Sequence, residues 1–345
     1  MPKWYEESGN SSDVVISTKV RLSRNLKKYP FSPKLADEDA KQLVDEVTEL
    51  CTSKNILEGD TLSCKIHEMN ETNRIALAEK QILSPAMVKK EQYSGLLMKE
   101  DESAGIMVNE EDHIRIQAVF AGMNSIESYK VANRIDDSLT DHFDVAFDEK
   151  YGYLTTSPTN LGTGLRVSYT MFLPALSAAG KINTLVSEVS KYGVTLRGLF
   201  GEEEQNYGDI FVVSNQRTLG CSEQEILENL NTLVLQIIKQ ERVRREYVLT
   251  RNYNIIEEQI YRAYGILKYT KQIGCKDAIT LLSRIMLGVD TGIIRLKEEE
   301  NLYKMIMNVQ SNVLQAKVGK NVGSITRERL RAEYINQNLP ELKND

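Results

Sequence analysis

The sequence predicts an α+β fold, in which an antiparallel sheet flanked by helices is followed by an all-helical C-terminal domain. Between residues 14 and 216, short segments in which apolar and polar residues alternate recur among turn signals, as half-buried strands do. Two segments in the same region have helical apolar spacing instead. From residue 222 onward helical spacing dominates, and no proline occurs between residues 244 and 339.

Six segments carry the strand pattern, and two carry the helical pattern of the mixed region. The helical segments are residues 37–50 and 182–192, and each places its apolar side chains on one face. We therefore expect a helical layer on one face of the sheet. The predicted strands are residues 15–22, 93–98, 105–108, 113–120, 164–172 and 209–213.

The C-terminal part begins with a long predicted helix. Ser222 stands three residues before Glu225, which is the spacing of a capping box, and apolar residues then recur at helical intervals. This change of pattern divides the chain into an N-terminal segment (residues 1–13), a mixed domain (14–245) and a helical domain (246–345).

Composition narrows the functional class. A net charge of −6 over 345 residues argues against direct nucleic-acid binding. No apolar run reaches the length of a membrane span and the N-terminus lacks a signal sequence, so we expect a cytoplasmic protein without membrane attachment. The four cysteines and three histidines are scattered, which predicts neither disulfides nor a structural zinc site.

An acidic turn opens the strand predicted at residues 113–120. Glu110, Glu111 and Asp112 are consecutive, and Arg115 follows on the strand, on the side that faces away from the core. Carboxylates beside a cation can position a nucleophile together with a charged phosphate donor. Solvated hairpin corners have the same pattern, so its meaning depends on the rest of the chain.

Three other segments place cations on strand faces or beside glycine-rich loops. In residues 15–22, Lys19 and Arg21 point to the same side of the strand. Arg166 follows one glycine-containing loop, and Arg197 precedes another. Each feature alone is common on solvent-facing surfaces. Together, arginines from several strands would surround a triphosphate, and because no GxxxxGK[ST] motif is present the site would not be a P-loop.

In this order, the motifs resemble those of the phosphagen (guanidino) kinases. Only sixteen residues precede the first motif and a helical domain follows the last, which is most similar to the bacterial protein-arginine kinases of the McsB type. The resemblance implies that residues 14–245 form a phosphagen kinase-like catalytic domain and that residues 246–345 form a regulatory or docking domain. The matching segments are residues 17–21 (STKVR), 109–113 (NEEDH), 160–166 (NLGTGLR), 197–202 (RGLFGE) and 214–220 (SNQRTLG).

The resemblance implies which residues act on ATP, Mg²⁺ and an acceptor guanidinium. Glu111 and Glu202 match the two catalytic carboxylates of the family, and Glu111 is the better match for the base. Asp112 would orient water on Mg²⁺ rather than bind the metal directly. The implied nucleotide-binding positions are Ser17, Thr18, Lys19, Val20, Arg21, Arg115, Arg166, Val167, Ser168, Tyr169, Thr170, Arg197, Gly198, Leu199, Phe200 and Gly201.

A C-terminal motif is similar to the phosphoarginine-binding allosteric pocket of protein-arginine kinases. Arg327 and Arg331 lie four residues apart on a predicted helix, so both can reach one phosphoryl group. Glu328 replaces the aspartate of the RDxxRA signature, and Ala332 completes it. An exposed basic helix is the other interpretation of this segment.

Three positions depart from the family pattern. Lys19 stands where the family has arginine, so a bidentate contact becomes a point charge and nucleotide binding should weaken. Ser157 replaces a reactive cysteine, and a hydroxyl supplies no thiolate charge. Gln81 occupies a position where related protein-arginine kinases often carry a nucleotide-contacting histidine.

The sequence therefore predicts an ATP-dependent protein-arginine kinase. Two alternatives remain, a small-guanidine kinase that makes a phosphagen and a weakly active phosphoarginine-binding adaptor. By resemblance, phosphorylated arginines would mark proteins for a Clp-type chaperone-protease in a stress response. The implied partners are protein substrates with accessible arginines, a zinc-containing activator protein, a CtsR-type repressor, the Clp protease and a second copy in a homodimer.

Overall fold

The computed structural model describes residues 2–201, 206–298 and 301–343. Eight of its strands form one antiparallel sheet, and two further strands, β6 and β7, form a separate small ribbon. The strands are β1 (Val15–Arg24), β2 (Thr61–Lys65), β3 (Gly95–Lys99), β4 (Ala104–Val108), β5 (Ile114–Ala121), β6 (Phe147–Asp148), β7 (Gly152–Tyr153), β8 (Leu165–Phe172), β9 (Val194–Gly198) and β10 (Ile210–Asn215).

Helices flank this sheet and make up the C-terminal part of the chain. The antiparallel sheet, its helical cover and the helical C-terminal domain confirm the predicted fold class. The helices are α1 (Asp37–Ser53), α2 (Glu71–Glu79), α3 (Pro85–Val88), α4 (Ser125–Thr140), α5 (Pro174–Ala178), α6 (Ile182–Ser190), α7 (Glu223–Tyr269), α8 (Cys275–Asp290), α9 (Leu302–Asn308), α10 (Ser311–Val318) and α11 (Ser324–Asn338).

The strand order is β2-β3-β4-β5-β1-β8-β10-β9, so β1 lies at the centre between β5 and β8. In this register Arg21 is opposite Gln117 on one side and Arg166 on the other, and Lys19 is opposite Ser168. Since side chains alternate along a strand, the sheet has one charged face and one apolar face.

The apolar face carries the larger core. A layer of helices packs on it, as predicted. This layer consists of α1, α4, α6 and the first half of α7. Val20 and Val167 are completely buried there, beside Tyr169, whose burial raises its pKa to about 12. Packing on this face holds the sheet against the helices, and the opposite face is available for polar groups.

A second core lies on the other side of the sheet and joins it to the C-terminal helices. Phe172 and Ile210 of the sheet pack with apolar residues of α7 to α11. Trp4 and Tyr5, from the N-terminal segment, are buried in the same cluster. The C-terminal domain is therefore held against the charged face of the sheet.

The long helix α7 runs through the predicted domain boundary at residues 245 and 246. Its first half packs on the sheet and its second half on the C-terminal helices. Asn252 departs from helical φ and ψ angles, which marks a kink between the halves. The chain thus passes from one core to the other along a helix. Among the residues that the structure describes, no helix is long and apolar enough to cross a bilayer.

A buried ion pair ties β1 to α4. Arg24 is 3% exposed and donates from Nε and Nη2 to Asp136 Oδ2, at 3.1 and 2.6 Å. Its Nη1 donates to the carbonyl oxygens of Ser23 and Thr163, at 2.8 and 3.0 Å, and its guanidinium lies 3.5 Å from the centroid of the Tyr153 ring. One side chain therefore connects a strand, a helix and the loop before β8.

Removing one partner of this pair would leave a buried charge without compensation. We expect Asp136→Ala to lower the free energy of unfolding by about 3 kcal/mol, because an unpaired buried guanidinium is costly. Denaturant-induced unfolding followed by circular dichroism measures this change. The control is Asp137→Ala, at the next and exposed residue of the same helix, which should leave stability almost unchanged. Equal losses in both variants would contradict the assignment.

Candidate active site

A cavity of about 480 Å³ opens on the charged face of the sheet. Side chains from six strands line it, together with residues at the C-terminal end of α2 and after it, and one residue from the C-terminal domain. Its size is that of a small-molecule binding site. Among its lining residues are Lys19, Arg21, Glu79, Gln81, Ser84, Glu110, Glu111, Arg115, Gln117, Ser168, Thr170, Arg197, Gly198, Leu199, Phe200, Ser214 and Gln310.

The predicted cations converge here from four different strands. Lys19 and Arg21 come from β1, Arg115 from β5 and Arg197 from β9, and all four line the cavity. Arg166 lies at its edge on β8, directly opposite Arg21. Residues that are far apart in the sequence therefore share one strongly positive surface.

These cations destabilise one another. Burial, together with the positive charges of Arg21 and Arg115, lowers the pKa of Lys19 to about 7. Burial and the same neighbour Arg115 also lower the pKa of Arg21 well below its ordinary value. The Nε atom of Arg21 is buried and has no hydrogen-bond partner among the described residues. An anion with several oxygen atoms would supply the missing charge and the missing acceptor.

The acidic turn joins β4 to β5 at the rim of the cavity. Asn109 adopts a left-handed conformation with φ of 56°, which asparagine tolerates better than most residues. Its amide nitrogen donates to the Tyr93 carbonyl at 2.6 Å, and its backbone N–H donates to the His113 carbonyl at 2.8 Å. These bonds fix the direction in which Glu110 and Glu111 leave the turn.

Glu110 and Glu111 have different environments. Glu110 Oε1 forms an ion pair with Arg115 Nη1 at 2.6 Å and accepts a hydrogen bond from Ser84. Although burial opposes ionisation, Arg115 and these hydrogen bonds hold the pKa of Glu110 below its usual value. Arg115, predicted to contact phosphate, is therefore already paired with a carboxylate. Sequence analysis did not anticipate this pair.

Glu111 is the exposed carboxylate of the turn and lines the cavity. Partial burial raises its pKa, and the negative charges of Glu110 and Asp112 raise it further, against the opposing effect of Arg115 and Arg166. A carboxylate with a raised pKa binds a proton more readily than an ordinary one. Glu111 thus has the position and basicity that a general base requires.

Asp112 and His113 hold the turn in place. Asp112 is 1% exposed, and its Oδ1 accepts from Asn25 Nδ2 and from the Thr156 N–H, both at 2.7 Å. It does not line the cavity, so the structure gives it a scaffold position rather than the predicted contact with metal-bound water. His113 Nδ1 accepts from the Leu26 N–H at 3.0 Å, and burial lowers the pKa of this imidazole.

Arg166 is oriented by the end of β10. Its Nη1 donates to the Asn215 carbonyl at 2.8 Å, and the Asn215 side chain in turn bonds to the backbone of Val167 and Leu165. In the loop before β8, Gly162 has a φ of 107° and approaches the chain itself, since a Cβ there would lie 2.3 Å from the Thr218 carbonyl oxygen.

The remaining predicted nucleotide positions divide into those that line the cavity and those that do not. Ser168 and Thr170 line the cavity, as do Gly198, Leu199 and Phe200. Gly201 follows this loop and is exposed. Glu202, the predicted second catalytic carboxylate, lies outside the described residues. The side chains of Ser17, Thr18, Val20, Val167 and Tyr169 are buried and do not line the cavity.

Two of the three residues that depart from the family pattern lie next to each other. Lys19 Nζ donates to the Gln81 carbonyl at 2.6 Å, and both residues line the cavity. Ser157, the third, shares a hydrogen bond of 2.9 Å with the Thr159 hydroxyl and is not among the cavity-lining residues. The lysine is therefore positioned by the backbone of a residue that also differs from the family pattern.

The C-terminal arginines have internal partners. Arg331 is 2% exposed, and its Nε and Nη1 donate to the carbonyl oxygens of Val309 and Ile273, at 2.7 and 2.8 Å. Arg327 Nη1 donates to the Val322 carbonyl at 3.2 Å. Both arginines lie on α11, as do Glu328 and Ala332. The predicted arrangement, in which both guanidinium groups face one phosphoryl group, is therefore not the one present here.

The cavity also contains residues that sequence analysis missed. Gln310 lies between α9 and α10 and brings the C-terminal domain to the wall of the cavity. Ser84 and Gln117 add hydroxyl and amide groups. None belongs to a recognisable motif, and their contribution follows only from tertiary contacts. Within the described ranges, no group of three or more His, Cys, Asp or Glu side chains is arranged to hold a metal ion.

Comparison with known proteins agrees with this geometry. Residues 41–244 match the family described as "ATP:guanido phosphotransferase, C-terminal catalytic domain". Residues 253–345 match "Protein-arginine kinase McsB C-terminal domain". The two matches follow the change from sheet to helical packing along α7.

Similar curated proteins extend over the whole chain. A protein-arginine kinase of Desulforamulus reducens is 39% identical over 345 residues, covering 99% of this chain and 97% of its own. One from Bacillus mycoides is 38% identical over 337 residues, covering 97% of this chain and 95% of its own.

Solved structures show the same fold at lower identity. The duplicated taurocyamine kinase of Schistosoma mansoni, with bound transition-state analogue components, has a TM-score of 0.61 at 24% identity, covering 72% of this chain and 37% of that one. A lombricine kinase has a TM-score of 0.57 at 21% identity, covering 70% and 72%. The family matches and the full-length relatives show that the chain belongs to the ATP:guanido phosphotransferase family and, within it, to the protein-arginine kinases.

Proposed function

We propose that this enzyme transfers the γ-phosphoryl group of ATP to the guanidinium group of arginine side chains in proteins, with Glu111 as the base. The observation that carries the proposal is the cavity itself, which cations from three strands line together with Glu111, a carboxylate of raised pKa. Such a site can hold a polyanion and an acceptor side by side.

The cations would bind the donor. Lys19, Arg21 and Arg197 form no ion pair with a described residue, so their charges are available for phosphate oxygens. Arg166 is held at the edge by Asn215 and would complete the set. Neutralising the phosphates lowers the barrier to phosphoryl transfer, because negative charge accumulates on those oxygens in the transition state.

Glu111 would act on the acceptor. As a guanidinium nitrogen bonds to the γ-phosphorus, the bond from that phosphorus to the ADP oxygen breaks and Glu111 takes the nitrogen proton. Glu202 is proposed as the second carboxylate that aligns the guanidinium, by resemblance to the family. Mg²⁺ would add charge neutralisation and be held by phosphate oxygens and water, which suits a site whose described residues form no protein metal cage.

The proposed cellular role rests on family resemblance. Phosphoarginine would mark proteins for a Clp-type protease in a cytoplasmic stress response. A zinc-containing activator and a CtsR-type repressor are the proposed partners, and a homodimer is the proposed assembly. Allosteric control through Arg327 and Arg331 would require both side chains to exchange their present backbone partners for phosphoarginine.

Substitution of Glu111 tests whether this residue is the base. We expect Glu111→Gln to lower the rate of protein phosphorylation at least about 100-fold, because the amide cannot accept the guanidinium proton. The measurement is acid-labile phosphate detected by mass spectrometry after incubation with Mg-ATP and an arginine-rich unfolded protein. Glu127→Gln, at an exposed position on α4, is the control and should retain full activity.

The same assay separates the alternatives when free arginine is offered in parallel. Labelling of the protein acceptor supports the proposal, whereas labelling of free arginine alone would identify a small-guanidine kinase. No labelling of either acceptor, with phosphoarginine binding that Arg331→Ala abolishes, would identify an adaptor. A fully active Glu111→Gln variant would exclude Glu111 as the base.

The proposed contact of Lys19 with phosphate predicts that the affinity for Mg-ATP depends on pH. In the free protein the pKa of Lys19 is lowered to about 7, so its ammonium group is charged below that pH and loses its proton above it. We therefore expect the Kd for Mg-ATP to increase as pH rises above about 7, because the neutral amine no longer attracts phosphate. Calorimetric titrations between about pH 6 and 9 measure the dependence.

Lys19→Arg supplies the matched control for this titration. Arginine remains protonated throughout the range, so the variant should show a flatter dependence and bind ATP more tightly at high pH. Because ATP ionises identically in both experiments, the difference between the two curves isolates the lysine. Parallel curves would show that Lys19 does not titrate in this range.

A further inference from the structure

Residues 79–81, which form the C-terminal end of α2 and the turn after it, lie between the cavity and the C-terminal domain. Glu79 and Gln81 both line the cavity, although neither belongs to a strand of the sheet. On the cavity side, the Gln81 carbonyl accepts the Lys19 ammonium group at 2.6 Å. This carbonyl determines where the lysine charge is held, since a long side chain without such a partner would sample many rotamers.

The backbone at Gln81 has an unfavourable conformation. Its φ angle is 60°, in the left-handed region that a residue with a long side chain rarely adopts. Such a conformation persists only where surrounding contacts impose it. The contacts that hold Gln81 therefore also hold the carbonyl group that binds Lys19.

The side-chain contact of Gln81 comes from the C-terminal domain. Gln81 Nε2 donates to the Tyr303 hydroxyl at 2.9 Å. Tyr303 lies on α9, is 2% exposed and packs against Trp4 with ring centroids 6.2 Å apart. A tyrosine fixed in this way gives Gln81 a rigid partner.

Glu79 attaches the same segment to the C-terminal domain a second time. Its Oε2 accepts the backbone N–H groups of Asn312 and Val313, both at 2.9 Å, at the N-terminus of α10. Gln310 Nε2 donates to the Glu79 carbonyl at 2.8 Å. An acceptor at a helix N-terminus satisfies N–H groups that have no partner within the helix. The segment that holds Lys19 is thus fixed by two elements of the helical domain.

We propose that Tyr303 is a positioning residue for the nucleotide, acting through Gln81 on Lys19, so that the C-terminal domain contributes to ATP affinity without contacting ATP. The inference rests on the proposed function only in assigning the cavity to ATP. It assigns to a buried tyrosine of the helical domain an effect on phosphate binding in the sheet domain.

The test is Tyr303→Phe, which removes the hydroxyl and preserves the ring. We expect the Kd for Mg-ATP to increase about three- to tenfold, which corresponds to the loss of one hydrogen bond between neutral groups. Tyr264→Phe is the matched control, because Tyr264 is a buried tyrosine of the same domain whose hydroxyl donates to the Pro340 carbonyl at 3.0 Å. It should lose similar stability and keep wild-type ATP affinity.

A double-mutant cycle with Lys19→Ala distinguishes positioning from general destabilisation. If Tyr303 acts through Lys19, adding Tyr303→Phe to Lys19→Ala should change the Kd less than twofold. Unchanged affinity in Tyr303→Phe, or a full additional loss in the Lys19→Ala background, overturns the inference. Binding without phosphoryl transfer would refute the proposed function and leave this result interpretable, whereas a wild-type protein that binds no Mg-ATP overturns both.

Discussion

The pairing of β1 with β5 and β8 determines where each charge of the cavity lies. In this register Arg21 is opposite Arg166 and Gln117, and the alternate residues of β1 are completely buried beneath α4. A shift by one residue would move Lys19 and Arg21 into the apolar core, which the packing of four helices prevents. The hydrophobic effect on one face of the sheet therefore holds mutually repelling cations together on the other.

The crowded cations of the cavity need negative charge nearby, and the carboxylates of the acidic turn supply part of it. Glu110 pairs with Arg115, while Asp112 and His113 connect the turn to β1 and to the loop near Thr156. Glu111 remains exposed to the cavity. Consecutive residues of similar chemistry thus have different partners and exposure because a hairpin sends their side chains in different directions.

The helical domain is part of the site rather than an appendage to it. It packs on the charged face of the sheet, supplies Gln310 to the cavity wall and holds residues 79–81 through Tyr303 and α10. A change in the packing of α9 to α11 would consequently reach Lys19 through hydrogen bonds. This arrangement gives the helical domain a direct physical route to the cavity.

Sequence periodicity alone determined the strand faces: Lys19 and Arg21 on one side, Val20 and Leu22 on the other, because alternation in a strand is local. It missed β2, whose residues are largely exposed, and α4, whose buried face combines the polar Ser128 and Asp136 with the apolar Ala132, Ile135 and Leu139. Only the tertiary structure decided that Glu110 forms an ion pair with Arg115, that Arg331 donates to backbone carbonyls, and that Gln310 reaches the cavity. Each outcome depends on the folded geometry around the side chain, often on partners distant in the sequence, and no local pattern encodes it.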